Sequence, residues 1–568
     1  MPATSTTPPP TSTRLNVADR LTRMAQQMPD AVAVACPGQG DVAGQNTYAT
    51  CTFAQLERDA TALARGLVEL GITPGTRLVL LVKPGIEFVK LVFALLRSGA
   101  TTVLIDPGMS RQHLVDCLAS TEPAGFVAIS PAQAIRTLLR HRFPEAQQNI
   151  TVGRRWFWGG KTYQQLLQLG QCSEAVLPDT QTTDPAAIIF TSGSTGPPKG
   201  VYYSHQMFDT QASEISSHYD IHPGGADLAC FPLFGLFNSA MGVTTVFPDM
   251  DFARPASADP TKLLAAAHDW QVTQAFASPA VWKKLSAYCQ HNGEMIPTLR
   301  KVLSCGAPVP AAVLRRTLAC VSSNAKMHTP YGATESLPVA SIDAHEVCNE
   351  TALQTDQGAG VCVGRKFSTV DWRVIAISDE PIASIDDCPA LPDGEIGELI
   401  VHGPQVSPEY VRLTSADHNP IAKIPDGNSV WHRLGDVGYL DEHGRFWYCG
   451  RKAHRVETAH GPMYTIPCEA IFNTHPNVAR TALVGIGPHG QQVPILIAEA
   501  TVESQNKNGD PATLQAELLE LAQQHELTQS IKQVLLHPSL PVDVRHNAKI
   551  NREQLTTWAT TKSLALSP

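Results

Sequence analysis

Thr191-Ser192-Gly193-Ser194-Thr195-Gly196-Pro197-Pro198-Lys199-Gly200 follows the apolar run Ala186 to Phe190 and precedes Val201-Tyr202-Tyr203. Three glycines, four hydroxyls and one lysine between two β-type runs describe a loop rich in hydrogen-bond donors, suited to wrapping a polyphosphate. It is not a Walker loop. That motif needs Gly-x-x-x-x-Gly-Lys-[Ser/Thr], and no glycine here is followed by a lysine and then a hydroxyl residue. Gly, Ser and Pro also make plain linkers, but linkers seldom carry four hydroxyls and a lysine directly between strands.

On either side of this loop, apolar runs of strand length alternate with amphipathic stretches. Val17 to Met28 has helical periodicity, Ala31 to Ala35 reads as a strand, and Phe53 to Leu70 is an amphipathic helix ended by Gly71. Arg77 to Val82 and Thr101 to Ile105 read as strands around the helix Ile86 to Ser98. The alternation resumes in Ala186 to Phe190, Met207 to Ser217, Thr261 to Trp270, Ala280 to Gln290 and Val302 to Ser304, the pattern of doubly wound α/β sheets. From Val370 the texture turns to short β-type runs, which predicts a β-rich subdomain. Gly450 to Arg455 reads as a hinge, and an α+β module of domain size follows. The expected organisation is a disordered Ser/Thr/Pro-rich tail (1–13), a large N-terminal domain (14–450) and a small mobile C-terminal domain (451–568).

The chain has 568 residues, too long for a single core. A net charge of −9 leaves no basic excess for a nucleic acid. The thirteen cysteines are scattered without a CxxC pair, so reduced, mostly buried thiols and a cytoplasmic location are expected. The N-terminus lacks the basic and apolar regions of a signal peptide, and the apolar region Leu78 to Ile105 is broken by Lys83, Glu87, Lys90 and Arg97.

Three further constellations carry chemistry. In Tyr331-Gly332-Ala333-Thr334-Glu335 a hydroxyl beside a carboxylate can bind a phosphate oxygen and a hard cation together; a helix cap is the alternative reading. In Trp431-His432-Arg433-Leu434-Gly435-Asp436 an aspartate beside glycine can accept ribose hydroxyls, as acidic residues do in other nucleotide sites. Near the C-terminus, Asn547-Ala548-Lys549-Ile550-Asn551-Arg552 presents a lysine that by itself reads as a solvated surface residue.

The loop resembles the phosphate loop of the adenylate-forming superfamily: acyl-CoA synthetases, luciferases and peptide-synthetase adenylation domains. The other motifs stand in that superfamily's order along most of the chain. The resemblance implies ATP and Mg²⁺ as partners in acyl adenylation. Thr191, Ser192, Gly193, Ser194, Thr195, Gly196 and Lys199 would then hold phosphates, Gly306-Ala307-Pro308 would line the adenine and the acyl pocket, and Tyr331, with Gly332 beside it, would stack on the adenine. It also assigns Thr334 to the α-phosphate, Glu335 to Mg²⁺, Asp436 to the ribose, Arg451 of Gly450-Arg451-Lys452 to phosphates, and Lys549 to catalysis. Departures are Leu434 for the usual Thr, Ala453 for the pivot Asp and Ala548 for Gly.

For the second half-reaction, Gly461-Pro462-Met463 replaces the flexible or basic pair that guides coenzyme A in acyl-CoA synthetases, and Gly235 stands beside Phe234 in the acyl pocket where a histidine is common. The wording around Gly450, Gly461 and Arg545 is similar to the β-lactone synthetases of bacterial long-chain olefin biosynthesis. Those enzymes adenylate a 2-alkyl-3-hydroxy fatty acid and let its own hydroxyl displace AMP. This implies a long-chain substrate and an assembly with the thiolase-like, reductase and decarboxylase enzymes of that pathway. His328, His460 and His546 are candidate bases for the hydroxyl. The rival readings are an acyl-CoA synthetase or carrier-protein ligase and, from another class, a non-catalytic nucleotide-binding protein.

Overall fold

A computed structural model describes residues 13–38, 47–105, 109–191, 198–411, 418–501, 510–542 and 549–566. Two large sheets dominate it. In the first, of eight strands, Arg77–Leu81, Thr101–Ile105 and Pro185–Thr191 lie parallel and side by side. Lys199–Ser204 then doubles back antiparallel on Pro185–Thr191, pairing Thr191 with Lys199 and Phe190 with Gly200. The two strands that flank the polar stretch are thus paired antiparallel beside the parallel strands of this sheet. Gly200 is required there, because a Cβ would meet Phe190 Cζ at 2.9 Å.

Alternation along these strands sends Leu78 and Leu80 to one core and Val79, Val103, Ile188 and Phe190 to another, so the sheet is covered on both faces. The helix Phe53–Glu69 shows why sequence periodicity works. Thr52 and Gln55 form a capping box at its start, and Leu56, Ala60, Leu63 and Leu67 are buried along one stripe.

The second sheet, of fourteen strands, changes character at Lys326–Ala333. On one side Lys301–Ser304, Gln274–Ala277 and Ala226–Ala229 run parallel; on the other Ser336–Asp343, Val361–Lys366 and Phe446–Arg451 run antiparallel. The β-rich segment after Val370 joins this sheet edge to edge through Ser429–Leu440 and Gly397–His402. Tyr331 and Gly332 lie within Lys326–Ala333, and Thr334–Glu335 form the turn into Ser336–Asp343. No helix begins there, so the helix-cap alternative fails.

The C-terminal module packs Thr465–Asn473, Pro511–Gln523 and Arg552–Leu566 on a sheet of three strands. Leu483, Leu496 and Leu518 share a core on one face; Ala482, Val484, Ile497 and Leu555 share one on the other. The thirteen cysteines are all unpaired and nine are buried. Among the described residues no helix is long and apolar enough to cross a membrane.

Candidate active site

A cavity of about 1890 Å³ lies where the parallel part of the second sheet gives way to its antiparallel part, and reaches Lys199 of the first sheet. Lys199, Gly306, Ala307, Pro308, Tyr331, Gly332, Thr334, Glu335, Asp436, Arg451 and Lys549 all line it, as does Phe234. Of the loop itself, Ser192, Gly193, Ser194, Thr195 and Gly196 lie outside the described residues, as does the side chain of Thr191.

Register explains the pairing at its centre. Asp436 on Ser429–Leu440 stands opposite Arg451 on Phe446–Arg451. Arg451 Nε is 3.1 Å from Asp436 Oδ1, and Arg451 Nη1 donates to Leu434 O at 2.9 Å. The Leu434 side chain is buried in the core, so its carbonyl rather than a side-chain hydroxyl holds the arginine. Tyr331 Oη donates to Asp436 Oδ2 at 2.5 Å. The buried Oδ1 has no hydrogen-bond partner among the described residues, although Arg451 lies close but off line. Burial pushes the Asp436 carboxyl above its usual range, and Arg451, Tyr331 and Lys549 pull it back toward the charged form. The same pairing holds Arg451 firmly protonated.

Glu335 is held from below. Tyr410 Oη donates to its Oε1 at 2.5 Å, and its backbone carbonyl accepts from Ser407 N at 2.8 Å. Lys199 Nζ and Lys423 Nζ sit 5.0 and 5.2 Å from the Tyr410 ring centre. Burial lowers the Lys199 pKa, opposed by Glu335. Tyr203 donates from its hydroxyl to Thr334 O, fixing the turn. Tyr410, Lys423 and Tyr203 escaped the sequence reading because they meet Thr334 and Glu335 only through tertiary folding. No local spacing ties residue 410 to residue 335.

Lys549 enters from the C-terminal module. Three residues on, Arg552 forms a two-pronged pair with buried Glu469, Nη1 to Oε1 at 2.5 Å and Nη2 to Oε2 at 3.0 Å. Glu469 Oε1 also accepts from Leu483 N at 2.7 Å, which ties the segment to that module's sheet. Among the described residues Lys452 bridges the hinge to the N-terminal unit, donating to Ser378 O at 2.7 Å and Glu398 Oε2 at 3.1 Å.

Other expectations fall differently. Gly235 is buried but does not line the cavity: a Cβ there would meet Thr245 Cγ2 at 2.9 Å and Phe247 Cζ at 3.2 Å, on the sheet side of its helix. A histidine does not fit, and the absent imidazole reflects packing against the sheet. His328 sits in an aromatic cluster with Tyr219, 5.1 Å between ring centres, and does not line the cavity. His460 is exposed at the tip of the hairpin Val456–Thr458/Gly461–Met463, and His546 lies outside the described residues. Among the described residues the histidine that does line the cavity is His454, whose pKa burial and the neighbouring Arg552 and Arg451 lower to about 4.

Beyond the polar end, the cavity wall is apolar, with Phe88, Val92, Phe208, Ile215, Leu236 and Phe237. Phe234 stacks on Phe276, ring centres 4.1 Å apart.

Comparison with known proteins matches residues 21–411 to the family "AMP-binding enzyme". The chain is 44% identical over 554 residues to an olefin β-lactone synthetase of Xanthomonas campestris pv. campestris, covering 96% of this chain and 98% of that one. It is also 44% identical to an olefin β-lactone synthetase of Stenotrophomonas maltophilia, with the same coverage. Among solved structures, the amide bond synthetase McbA of Marinactinospora thermotolerans superposes with a TM-score of 0.75 at 21% identity, covering 96% of this chain and 99% of that one. The anthranilate CoA ligase AuaEII superposes with a TM-score of 0.76 at 16% identity, covering 97% and 98%. These superpositions establish the fold.

Proposed function

Because the chain belongs to the AMP-binding enzyme family and is similar along nearly its whole length to olefin β-lactone synthetases, we propose that it activates a 2-alkyl-3-hydroxy fatty acid with ATP and closes it to a β-lactone. The observation that carries the reading is one cavity joining a nucleotide-type polar end to a long apolar wall. Asp436, Glu335, Lys199 and Lys549 line the same chamber as Phe88, Phe208 and Phe237.

In the first half-reaction a carboxylate oxygen of the acid attacks the α-phosphorus of ATP, and pyrophosphate leaves. Asp436 Oδ1, buried and open to a donor, accepts from the ribose. Tyr331 and Gly306 to Pro308 frame the adenine. Arg451 and Lys199 neutralise phosphate charge, Thr334 donates to the α-phosphate, and Lys549 bridges carboxylate and α-phosphate as negative charge builds. Among the described residues no cluster of three His, Cys, Asp or Glu side chains could hold a metal. A single carboxylate is nevertheless the protein share that a nucleotide-bound Mg²⁺ requires, and Glu335, with one oxygen fixed by Tyr410, fits it. Mg²⁺ there would offset the charge of the departing pyrophosphate.

In the second half-reaction the 3-hydroxyl oxygen attacks the acyl carbon of the acyl-AMP. The bond from that carbon to the AMP oxygen breaks, AMP leaves with the electron pair, and the hydroxyl proton passes to solvent or to a base. The nucleophile is tethered two carbons from its target, so positioning replaces a thiol tunnel. The hairpin carrying Pro462 and Met463 agrees with this: Thr458 Oγ1 donates to Gly461 O at 2.7 Å across a tight turn. A cytoplasmic site of action and an assembly with the preceding and following enzymes of olefin formation complete the reading.

The test is a matched pair of acids, one 2-alkyl-3-hydroxy and one lacking the 3-hydroxyl, incubated with ATP and Mg²⁺. The hydroxy acid turns over to AMP and lactone, and the deoxy acid stops at bound acyl-AMP. Equal AMP release from both acids removes the hydroxyl from the mechanism.

A further inference from the structure

Eleven large apolar side chains stand exposed among the described residues, and four of them, Ile135, Leu138, Trp156 and Phe157, fall within 23 residues of chain. Leu138 and Phe157 are 77% and 76% exposed. The aromatic pair is presented rigidly. Both rings pack on Trp158, at 5.9 and 5.3 Å between centres, and Trp158 is buried with its Nε1 donating to Thr151 Oγ1 at 3.0 Å. Arg155 Nη1 donates to Gly160 O at 2.5 Å and closes the loop, and Ser130 Oγ donates to Arg154 O at 2.6 Å, tying it to the start of the helix Ser130–Leu138.

Charge marks the same surface. Residues 130–161 carry Arg136, Arg140, Arg142, Arg154, Arg155 and Lys161 against the single acid Glu145, in a chain whose net charge is −9. Arg140, Arg154 and Arg155 are exposed, and Arg142 is paired with Asp116 at 2.6 Å. Rigid aromatics ringed by arginines match an anionic lipid interface, where the rings enter the headgroup layer and the guanidinium groups meet its charge. The cavity reaches this helix too: Ile135 is 56% exposed and lines the cavity together with Ile129, Ala132 and Leu139.

We propose that the Trp156–Phe157 loop and the outer face of Ser130–Leu138 dock the protein on an anionic lipid surface. Docking of this kind puts the cavity lining at Ile135 against the phase in which a long-chain acid dissolves. That consequence rests on the function proposed above, whereas the docking itself does not.

The test is flotation of the full chain with phosphatidylglycerol-containing vesicles and with pure phosphatidylcholine vesicles. The expected result is flotation with the anionic vesicles, weakened by salt, and little with the neutral ones. Arg154→Gln with Arg155→Gln lowers vesicle affinity about fivefold per charge removed, and Trp156→Ala with Phe157→Ala abolishes flotation at every salt concentration. Circular dichroism and adenylation of a water-soluble short-chain acid stay at wild-type levels in both variants, which excludes misfolding. The proposal is overturned if the wild type does not float with anionic vesicles, including the case in which these variants abolish binding to another protein instead, or if both variants float as the wild type does. Flotation is read without turnover, so failure of the lactone reaction leaves this result legible.

Discussion

Asp436 and Arg451 stand directly opposite each other on antiparallel strands, with Arg451 Nε 3.1 Å from Asp436 Oδ1 and Tyr331 Oη 2.5 Å from Oδ2. The carboxylate is therefore oriented, and its Oδ1 has no hydrogen-bond partner among the described residues. Asp436→Asn keeps the shape and loses the charge-assisted acceptor, a change of about 1.5–3 kcal/mol. ATP affinity measured by calorimetry is expected to fall roughly tenfold to hundredfold. A change within twofold would mean that Asp436 does not touch the nucleotide.

Lys549 belongs to the C-terminal module and acts electrostatically on Asp436 across the cavity. Lys549→Ala is expected to reduce acid-dependent pyrophosphate release by roughly 10²–10³ while ATP affinity stays within threefold of wild type. Near-normal pyrophosphate release would refute the assignment.

Asp227 titrates at the core rather than at the site. It is buried on Ala226–Ala229, its Oδ2 accepts from Asn238 Nδ2 at 2.7 Å, and its Oδ1 has no partner among the described residues. Burial pushes its pKa up to about 7, against the hydrogen bonds of Asn238 and Gln274. Between about pH 4 and pH 7 the folded protein keeps a proton that the unfolded chain has lost, so this group's contribution to stability declines as pH rises through that window. Asp227→Asn removes the dependence. Its melting temperature relative to wild type should rise by a few degrees from pH 5 to pH 8, and a constant difference would show that Asp227 is ionised in the fold.

Gly235 packs against the sheet, and adding side-chain atoms there forces Thr245 or Phe247 to move. Overpacking of this kind costs about 1–3 kcal/mol. Gly235→Ala is expected to lower the melting temperature and Gly235→His to lower it further, with no gain of thioester formation. A stable Gly235→His variant would place that position in the cavity wall.

Much of this was legible in the chain because it is local. The period of Phe53 to Leu70 and the β-runs flanking Thr191 to Gly200 became Phe53–Glu69 and the antiparallel pair Pro185–Thr191/Lys199–Ser204. The motifs at Tyr331, Asp436, Arg451 and Lys549 were found by residue order, and the fold gathers them in one cavity. What the sequence hid is set by register and packing. Nothing near Glu335 announces Tyr410, nothing near Gly235 announces Thr245, and His454 becomes the histidine of the cavity wall only when Phe446–Arg451 carries it there. The helices Arg111–Ser120 and Ser130–Leu138 also went unread, and Ser130–Leu138 carries the exposed apolar face.

The central claim is that the acid's own hydroxyl is the second nucleophile. The direct measurement is the mass of the product formed from a 2-alkyl-3-hydroxy acid, ATP and Mg²⁺, with and without coenzyme A. The account predicts the β-lactone, the acid less one water, with one AMP per lactone and no dependence on coenzyme A. A product that forms only with coenzyme A, at the mass of the thioester, would contradict it.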